Sequence, residues 1–138
     1  MLANARQPAP TARDSPPEVL VVEDNEAVGR ILRFCLREAG FAVTVMGAGG
    51  EALGVLQQQP PDAVVLDLQL PDGQGGAVLE SLRRSEGAAN APVWVVISAL
   101  DQEEATKRYG PLGNHFLAKP LDPWQLVAIL NTLLATRS

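Results

Sequence analysis

Five short apolar runs recur along the chain, and each of them ends at a turn or at polar residues. They cover residues 19–22, 41–46, 63–66, 93–97 and 116–118. The runs at 63–66 and 93–97 show no polar alternation, which is typical of strands that are buried on both faces of a sheet. The pattern therefore predicts five β-strands.

Between these runs, apolar residues recur at helical spacing. A first helix follows Asn25, a suitable N-cap, and ends at Gly40. Its apolar stripe consists of Val28, Ile31, Leu32, Cys35 and Leu36, so Cys35 is a core residue rather than a reactive thiol. Further helices are predicted over residues 51–58, 77–84, 102–108 and 123–135, with Leu53 and Leu56 pointing inward in the second. Strands that alternate with helices predict a parallel sheet with helices on both faces.

Four of the five predicted strands are followed by polar side chains. Glu23 and Asp24 follow the first, Asp67 the third, Ser98 the fourth and Lys119 the fifth. In a doubly wound sheet of the flavodoxin-like order 2-1-3-4-5, these ends share one edge, and the first and third strands are neighbours. Neighbouring strands lie about 4.8 Å apart, so Asp24 and Asp67 should face each other. Lys119, roughly 10 Å from Asp67 by the same spacing, can bridge much of that distance with its long side chain.

A cluster of Glu23, Asp24 and Asp67 would be held together by a bound cation. Three neighbouring carboxylates repel one another and raise one another's pKa values. Oxygen ligands without His or Cys suit a hard divalent cation, above all Mg²⁺. The alternative, a set of unrelated loop acids, would require four strand ends to match by accident.

Composition narrows the functional classes. The 138 residues carry a net charge of −5 and no basic stripe, which argues against direct nucleic-acid binding. A single cysteine suits a reducing cytoplasm, and no segment is apolar enough to insert into a membrane or to act as a secretory signal. Residues 1–17 are rich in Pro and small residues and are predicted to be a disordered tail, which leaves residues 18–138 as one folded domain.

Residues 18 to about 135 resemble the receiver domain of two-component response regulators. The matching features are Glu23-Asp24, the Asp67 strand with Pro71 and Gly73, Ser98, and Lys119-Pro120. The resemblance implies that Asp67 accepts a phosphoryl group from a phosphohistidine on a sensor histidine kinase or histidine phosphotransfer protein. The domain would then change its binding to a downstream protein that the sequence does not identify. It would catalyse its own phosphoryl transfer and dephosphorylation and act on no other substrate.

The same resemblance assigns roles to individual residues. Asp67 is the nucleophile, Lys119 pairs with a phosphoryl oxygen, and Ser98 hydrogen-bonds another. Mg²⁺ would be held by Asp24, Asp67 and the backbone carbonyl of Gln69, with Glu23 acting through water. The family also suggests a cis Lys119-Pro120 peptide.

Other positions leave alternatives open. Phe116 lies where receivers carry an aromatic switch, although a plain core residue of the last strand is nearly as good an interpretation. Trp124 is interpreted as an exposed contact rather than core, and His115 as a solvated loop residue. The segment from Ser98 to Lys119 is one residue short for the family, and residues 109–111 interrupt its helix. The fourth helix, a common output surface in the family, therefore departs from the family pattern, whereas the phosphorylation site does not.

Three other functions fit the sequence less well. A phosphatase of the haloacid-dehalogenase type has a second acid two residues after its nucleophile, where this chain has Gln69. A pure interaction module would have no need of all these polar positions. A flavodoxin-like cofactor binder needs a phosphate-cradling loop after the first strand, and Glu23 and Asp24 would repel a phosphate there.

Overall fold

The structure, a computed structural model, describes residues 15–112 and 116–137. It confirms five strands that alternate with five helices. These are β1 (Glu18–Val22), α1 (Glu26–Glu38), β2 (Ala42–Met46), α2 (Gly49–Gln58), β3 (Ala63–Asp67), α3 (Gly75–Ser85), β4 (Val93–Ser98), α4 (Gln102–Tyr109), β5 (Phe116–Ala118) and α5 (Pro123–Ala135). Most of the predicted tail, residues 1–14, and His115 lie outside the described residues, so those two predictions remain predictions.

The sheet is parallel and has the predicted order β2-β1-β3-β4-β5. β1 pairs with both β2 and β3, and Val22 lies beside Leu66 at the end of the second pair. Strands are added to one side of β1 and then, from β3 onward, to its other side. The boundary between β1 and β3 is therefore the switch point where ligands bind in such folds. The polar residues that follow β1 and end β3 meet there.

Helices cover both faces of the sheet, as the alternating pattern predicts. All five residues of β3 and five of the six in β4 are buried. On one face, α1 and α5 pack on alternate strand residues through Leu32, Leu36, Leu126 and Leu130. On the other face, residues of α2, α3 and α4 form the second core layer, including Ala52, Val78, Leu79, Leu82 and Ala105. Cys35 is buried, in agreement with its predicted core position.

Two helices begin earlier than the sequence pattern predicts. α2 begins at Gly49 rather than Glu51, because the Asp72 carboxylate, in the loop after β3, accepts a hydrogen bond from the Gly50 N–H at 3.0 Å. α3 begins at Gly75 rather than Ala77. A Cβ atom on Gly75 would lie 2.1 Å from the carbonyl oxygen of Leu68, so this glycine permits a close approach of helix and loop.

Leu53 and Leu56 of α2 face inward as predicted and pack against the second core layer, and Gly49 and Ala52 of the same helix are fully buried. The two leucines are only half-buried because α2 lies beside the edge strand β2, none of whose residues is fully buried. Within the described part of the chain, no helix is both long and apolar enough to cross a membrane.

Candidate functional site

Three carboxylates meet at the carboxyl edge of the sheet. Oxygen atoms of Glu23, Asp24 and Asp67 all lie within 4.8 Å of one another. Glu23 and Asp67 are buried and Asp24 is exposed. They come together because β1 and β3 are neighbouring parallel strands, so the residues that end them share one edge. The site thus has two buried acids at its base and one acid at its mouth.

The carboxylate of Asp67 is held from two sides. Oδ1 accepts a hydrogen bond from the backbone N–H of Gln69 at 3.0 Å, and Oδ2 accepts one from Lys119 Nζ at 2.9 Å. The first contact is local and comes from the turn that follows β3. The second joins positions 52 residues apart and depends on the fold. Gln69 itself is exposed beside the acids.

Lys119 lies between the two buried acids. Its Nζ is 2.6 Å from Glu23 Oε1 and 2.9 Å from Asp67 Oδ2. Its backbone N–H donates to the carbonyl of Ser98 at 2.8 Å, which fixes the start of the side chain at the end of β4. The peptide to Pro120 is cis, as expected from the family resemblance. The predicted reach of Lys119 across two strands is confirmed.

Burial and the neighbouring charges alter two pKa values in the site. Burial raises the pKa of Glu23, and the Asp67 charge adds to the increase, although contacts with Lys119 and the Asn25 N–H oppose it. Burial alone would lower the pKa of Lys119, but its hydrogen bonds to Glu23 and Asp67 and their charges outweigh burial and raise it. The predicted rise from clustered acids therefore occurs at Glu23, but burial is its largest cause.

The two candidate switch residues lie on β4 and β5. Ser98 is fully buried at the end of β4, and its Oγ accepts a hydrogen bond from the Leu100 N–H at 3.0 Å. Phe116 lies beside Val96 in the β4–β5 pair and is half-buried against the core layer under α2, α3 and α4. Ser98 is thus one strand away from Asp67, whereas Phe116 is at the other end of the short strand that leads to Lys119.

Two residues that support the site's surroundings were missed at the sequence level. Asp72 accepts hydrogen bonds from the N–H groups of Gly50 and Gln74, and these lower its pKa. Arg83 on α3 reaches the end of α4. The Pro71-Asp72-Gly73 turn was visible in the sequence, but its contact with α2 joins residues 22 positions apart and leaves no local pattern.

The comparisons with known proteins agree with this geometry. The sequence pattern that defines the response regulator receiver domain matches residues 19–131. The chain belongs to this family. Among solved structures, the receiver domain of the sensor histidine kinase PA1611 from Pseudomonas aeruginosa is 27% identical, with a TM-score of 0.74, and the match covers 88% of this chain and all of that one. That structure has a magnesium ion coordinated in its active-site cleft.

Other relatives support the same assignment. A response regulator receiver protein from Sinorhizobium medicae is 25% identical with a TM-score of 0.78, over 89% of this chain and 98% of that one. The sensory transduction protein RegX3 of Mycolicibacterium smegmatis is 36% identical over 84% of this chain and 50% of its own length. The DNA-binding regulator RpaA of Synechocystis is 34% identical over 86% of this chain and 49% of its own length. The chain spans about half the length of these curated relatives.

Proposed function

We propose that Asp67 is the phosphoacceptor of a two-component or phosphorelay system. The observation that carries this proposal is a buried carboxylate at the sheet's switch point, held between a lysine and two further acids. The donor would be a phosphohistidine on a sensor histidine kinase or a histidine phosphotransfer protein. An Asp67 oxygen attacks phosphorus and forms an O–P bond while the N–P bond breaks, and the imidazole nitrogen keeps the electron pair and takes up a proton.

The residues at the site fit Mg²⁺. All the candidate donors are oxygen atoms, which hard divalent cations prefer, and three carboxylates face one lysine, so negative charge remains in excess. Asp24, Asp67 and the backbone carbonyl of Gln69 would hold the ion, and Glu23 would contribute through water. When bound, Mg²⁺ would neutralise charge on the phosphoryl oxygens and on the acids.

Lys119 and Ser98 would stabilise the phosphorylated state. The ammonium of Lys119 already contacts Asp67, so it lies close enough to pair with a phosphoryl oxygen on that side chain. The Ser98 hydroxyl would donate to a second phosphoryl oxygen. Such transfer depends on positioning and charge neutralisation more than on acid–base chemistry. The chain would act on its own aspartyl phosphate and on no other substrate.

Phosphorylation would change a protein-binding surface. Ser98 directly precedes the segment 99–116, which contains α4, and its Oγ contacts that segment at Leu100. A change at Ser98 would bias the conformation of this segment, with Phe116 turning inward. Trp124 on α5 is 52% exposed and would contribute to the contact. The net charge of −5 favours a protein target over direct nucleic-acid binding for this domain.

The proposal is tested by labelling with a small phosphodonor. Wild-type protein, Asp67→Asn and Asp101→Asn would be incubated with acetyl phosphate and Mg²⁺ and examined by intact-mass spectrometry. Wild type and Asp101→Asn, whose changed acid caps α4 outside the cluster, should each gain one phosphoryl group, whereas Asp67→Asn should gain none. Labelling of Asp67→Asn to the same extent as wild type would show that Asp67 is not the phosphoacceptor. Continuous release of phosphate from unrelated substrates would instead favour a phosphatase.

A further inference from the structure

The end of α4 is held by a side chain of another helix. Arg83, in the third turn of α3, donates from Nη2 to the carbonyl of Tyr109 at 2.6 Å and also contacts the carbonyl of Pro111. Between these residues, Gly110 has a φ of +80°, and a Cβ placed there would lie 3.5 Å from an Arg83 guanidinium nitrogen. One arginine thus donates to two carbonyl groups at the point where α4 ends.

The contact with Arg83 supplies a hydrogen-bond donor to the carbonyl groups at the end of the short α4. The last carbonyl groups of a helix have no N–H partner within the helix and need another donor. Here the Gly110 N–H still bonds to the Thr106 carbonyl, but the chain then turns away at Pro111. A basic side chain in the last turn of α4 could also donate to these carbonyl groups, but Arg108 is paired with Glu104 instead. Arg83 therefore supplies the donor that the shortened segment does not.

The Tyr109 side chain also faces α3. It is half-buried against the core layer that α3 lines, and a Cβ placed on Gly76, in the first turn of α3, would meet its ring at 3.7 Å. α4 contributes a single fully buried residue, Ala105, to the core. Its C-terminal end is therefore positioned by α3 at two places, whereas few apolar contacts hold the rest of the helix.

The N-terminal end of α4 is attached differently. Asp101 caps it by accepting from the Glu104 N–H at 2.8 Å, and the preceding Leu100 N–H bonds to Ser98 Oγ at 3.0 Å. The Ser98 hydroxyl is the group that would turn toward a phosphoryl group on Asp67. The two ends of α4 thus depend on different parts of the protein, and only one of these contacts involves the candidate site.

We propose that Arg83 anchors the C-terminal end of α4 to α3, and that phosphorylation of Asp67 consequently moves α4 at its N-terminal end alone. The second half of this inference rests on the proposed function. The anchor makes α4 pivot about the segment from Tyr109 to Pro111, so residues 99–105 respond and residues 107–111 stay in place. Loss of Arg83 would release the whole helix.

The anchor is tested first in the resting protein by amide hydrogen exchange. Arg83→Gln would be compared with Arg84→Gln, a matched control, because both arginines lie near the Glu80 carboxylate and the charge change is the same. We expect exchange in peptides covering residues 106–112 to rise several-fold in Arg83→Gln and to remain at the wild-type level in Arg84→Gln. Equal exchange in the two variants would overturn the anchor. If Arg83→Gln does not fold, Arg83→Lys, which keeps the charge but ends one bond short of the Nη2 position that donates to both carbonyls, replaces it.

The second half is tested by adding beryllofluoride and Mg²⁺, which mimic the phosphoryl group. In wild type and Arg84→Gln, exchange should change within residues 98–105 and not within 107–112, whereas in Arg83→Gln the change should extend to residue 109. A wild-type change that is as large at 107–112 as at 98–105 would overturn the pivot. A wild-type protein that does not respond anywhere would contradict the proposed function and the pivot together, while the resting comparison still decides the anchor.

Discussion

Lys119 Nζ lies 2.9 Å from Asp67 Oδ2, although the two residues are 52 positions apart. The same ammonium is 2.6 Å from Glu23 Oε1. One lysine therefore offsets part of the charge of two buried acids, and the exposed Asp24 forms no ion pair among the described residues. This unequal balance underlies the first two predictions, and the burial of Glu23 underlies the third.

Removal of the Asp24 charge should stabilise the metal-free protein. Asp24→Asn relieves repulsion with Glu23 and Asp67 without breaking an ion pair, so the melting temperature without Mg²⁺ should rise. The stabilisation by Mg²⁺, about 1.4 kcal/mol at ten times the dissociation constant, should shrink in this variant. Thermal melts with and without Mg²⁺ measure both effects. Glu86→Gln, the same charge change at an exposed residue after α3, is the control. A lower metal-free melting temperature for Asp24→Asn would contradict the prediction.

Loss of Lys119 should destabilise the protein through the acids that it leaves unpaired. Lys119→Met should reduce the free energy of unfolding by about 1–3 kcal/mol, because Glu23 would remain as a buried acceptor without its cation. The double variant Lys119→Met/Glu23→Gln should recover part of this loss. Urea unfolding of the wild type, both single variants and the double variant gives the coupling energy. Strictly additive effects would mean that the contact between Lys119 and Glu23 contributes no coupling.

The raised pKa of Glu23 predicts how stability depends on pH. Between the ordinary carboxyl value and the raised value, the folded state binds more protons at this group than the unfolded state does. The contribution of Glu23 to the free energy of unfolding must therefore fall as pH rises through that window. Glu23→Gln should remove this decline. Urea unfolding of the metal-free wild type and variant across about pH 4 to 8 tests the sign. The free energy of unfolding of the wild type, relative to that of Glu23→Gln, should fall as the pH rises. A relative free energy that rises with pH would disprove the prediction.

Two glycines should respond oppositely to alanine. A Cβ on Gly75 would meet the carbonyl oxygen of Leu68, the residue directly after Asp67, at 2.1 Å. Gly75→Ala should thus cost about 1–3 kcal/mol and weaken Mg²⁺ binding. Gly54 lies within α2 with open space at its Cβ position, so Gly54→Ala should stabilise by about 0.5–1 kcal/mol. Chemical denaturation and Mg²⁺ titration check both, and a tolerated Gly75→Ala would show that the loop can shift.

Much of the fold was predictable because its signals are local. Unbroken apolar runs marked β3 and β4, and helical periodicity marked α1 and α5, whose predicted bounds agree closely with the structure. The strand order of a flavodoxin-like sheet, which the alternating pattern suggested, placed Asp24 and Asp67 together, and the structure confirms both. A strand that is buried on both faces needs consecutive apolar residues, so the sequence shows directly which strands are central.

The contacts that the sequence could not reveal join residues far apart along the chain. The two-residue extension of α2 depends on Asp72, the end of α4 depends on Arg83, and the raised pKa of Glu23 depends mainly on the depth at which β1 places it. Each of these properties arises from distances between separate elements. The sequence by itself determined which chemical groups reach the edge of the sheet, whereas only the tertiary structure decided which of them touch, because hydrogen bonds and ion pairs act over a few ångströms in space and not along the chain.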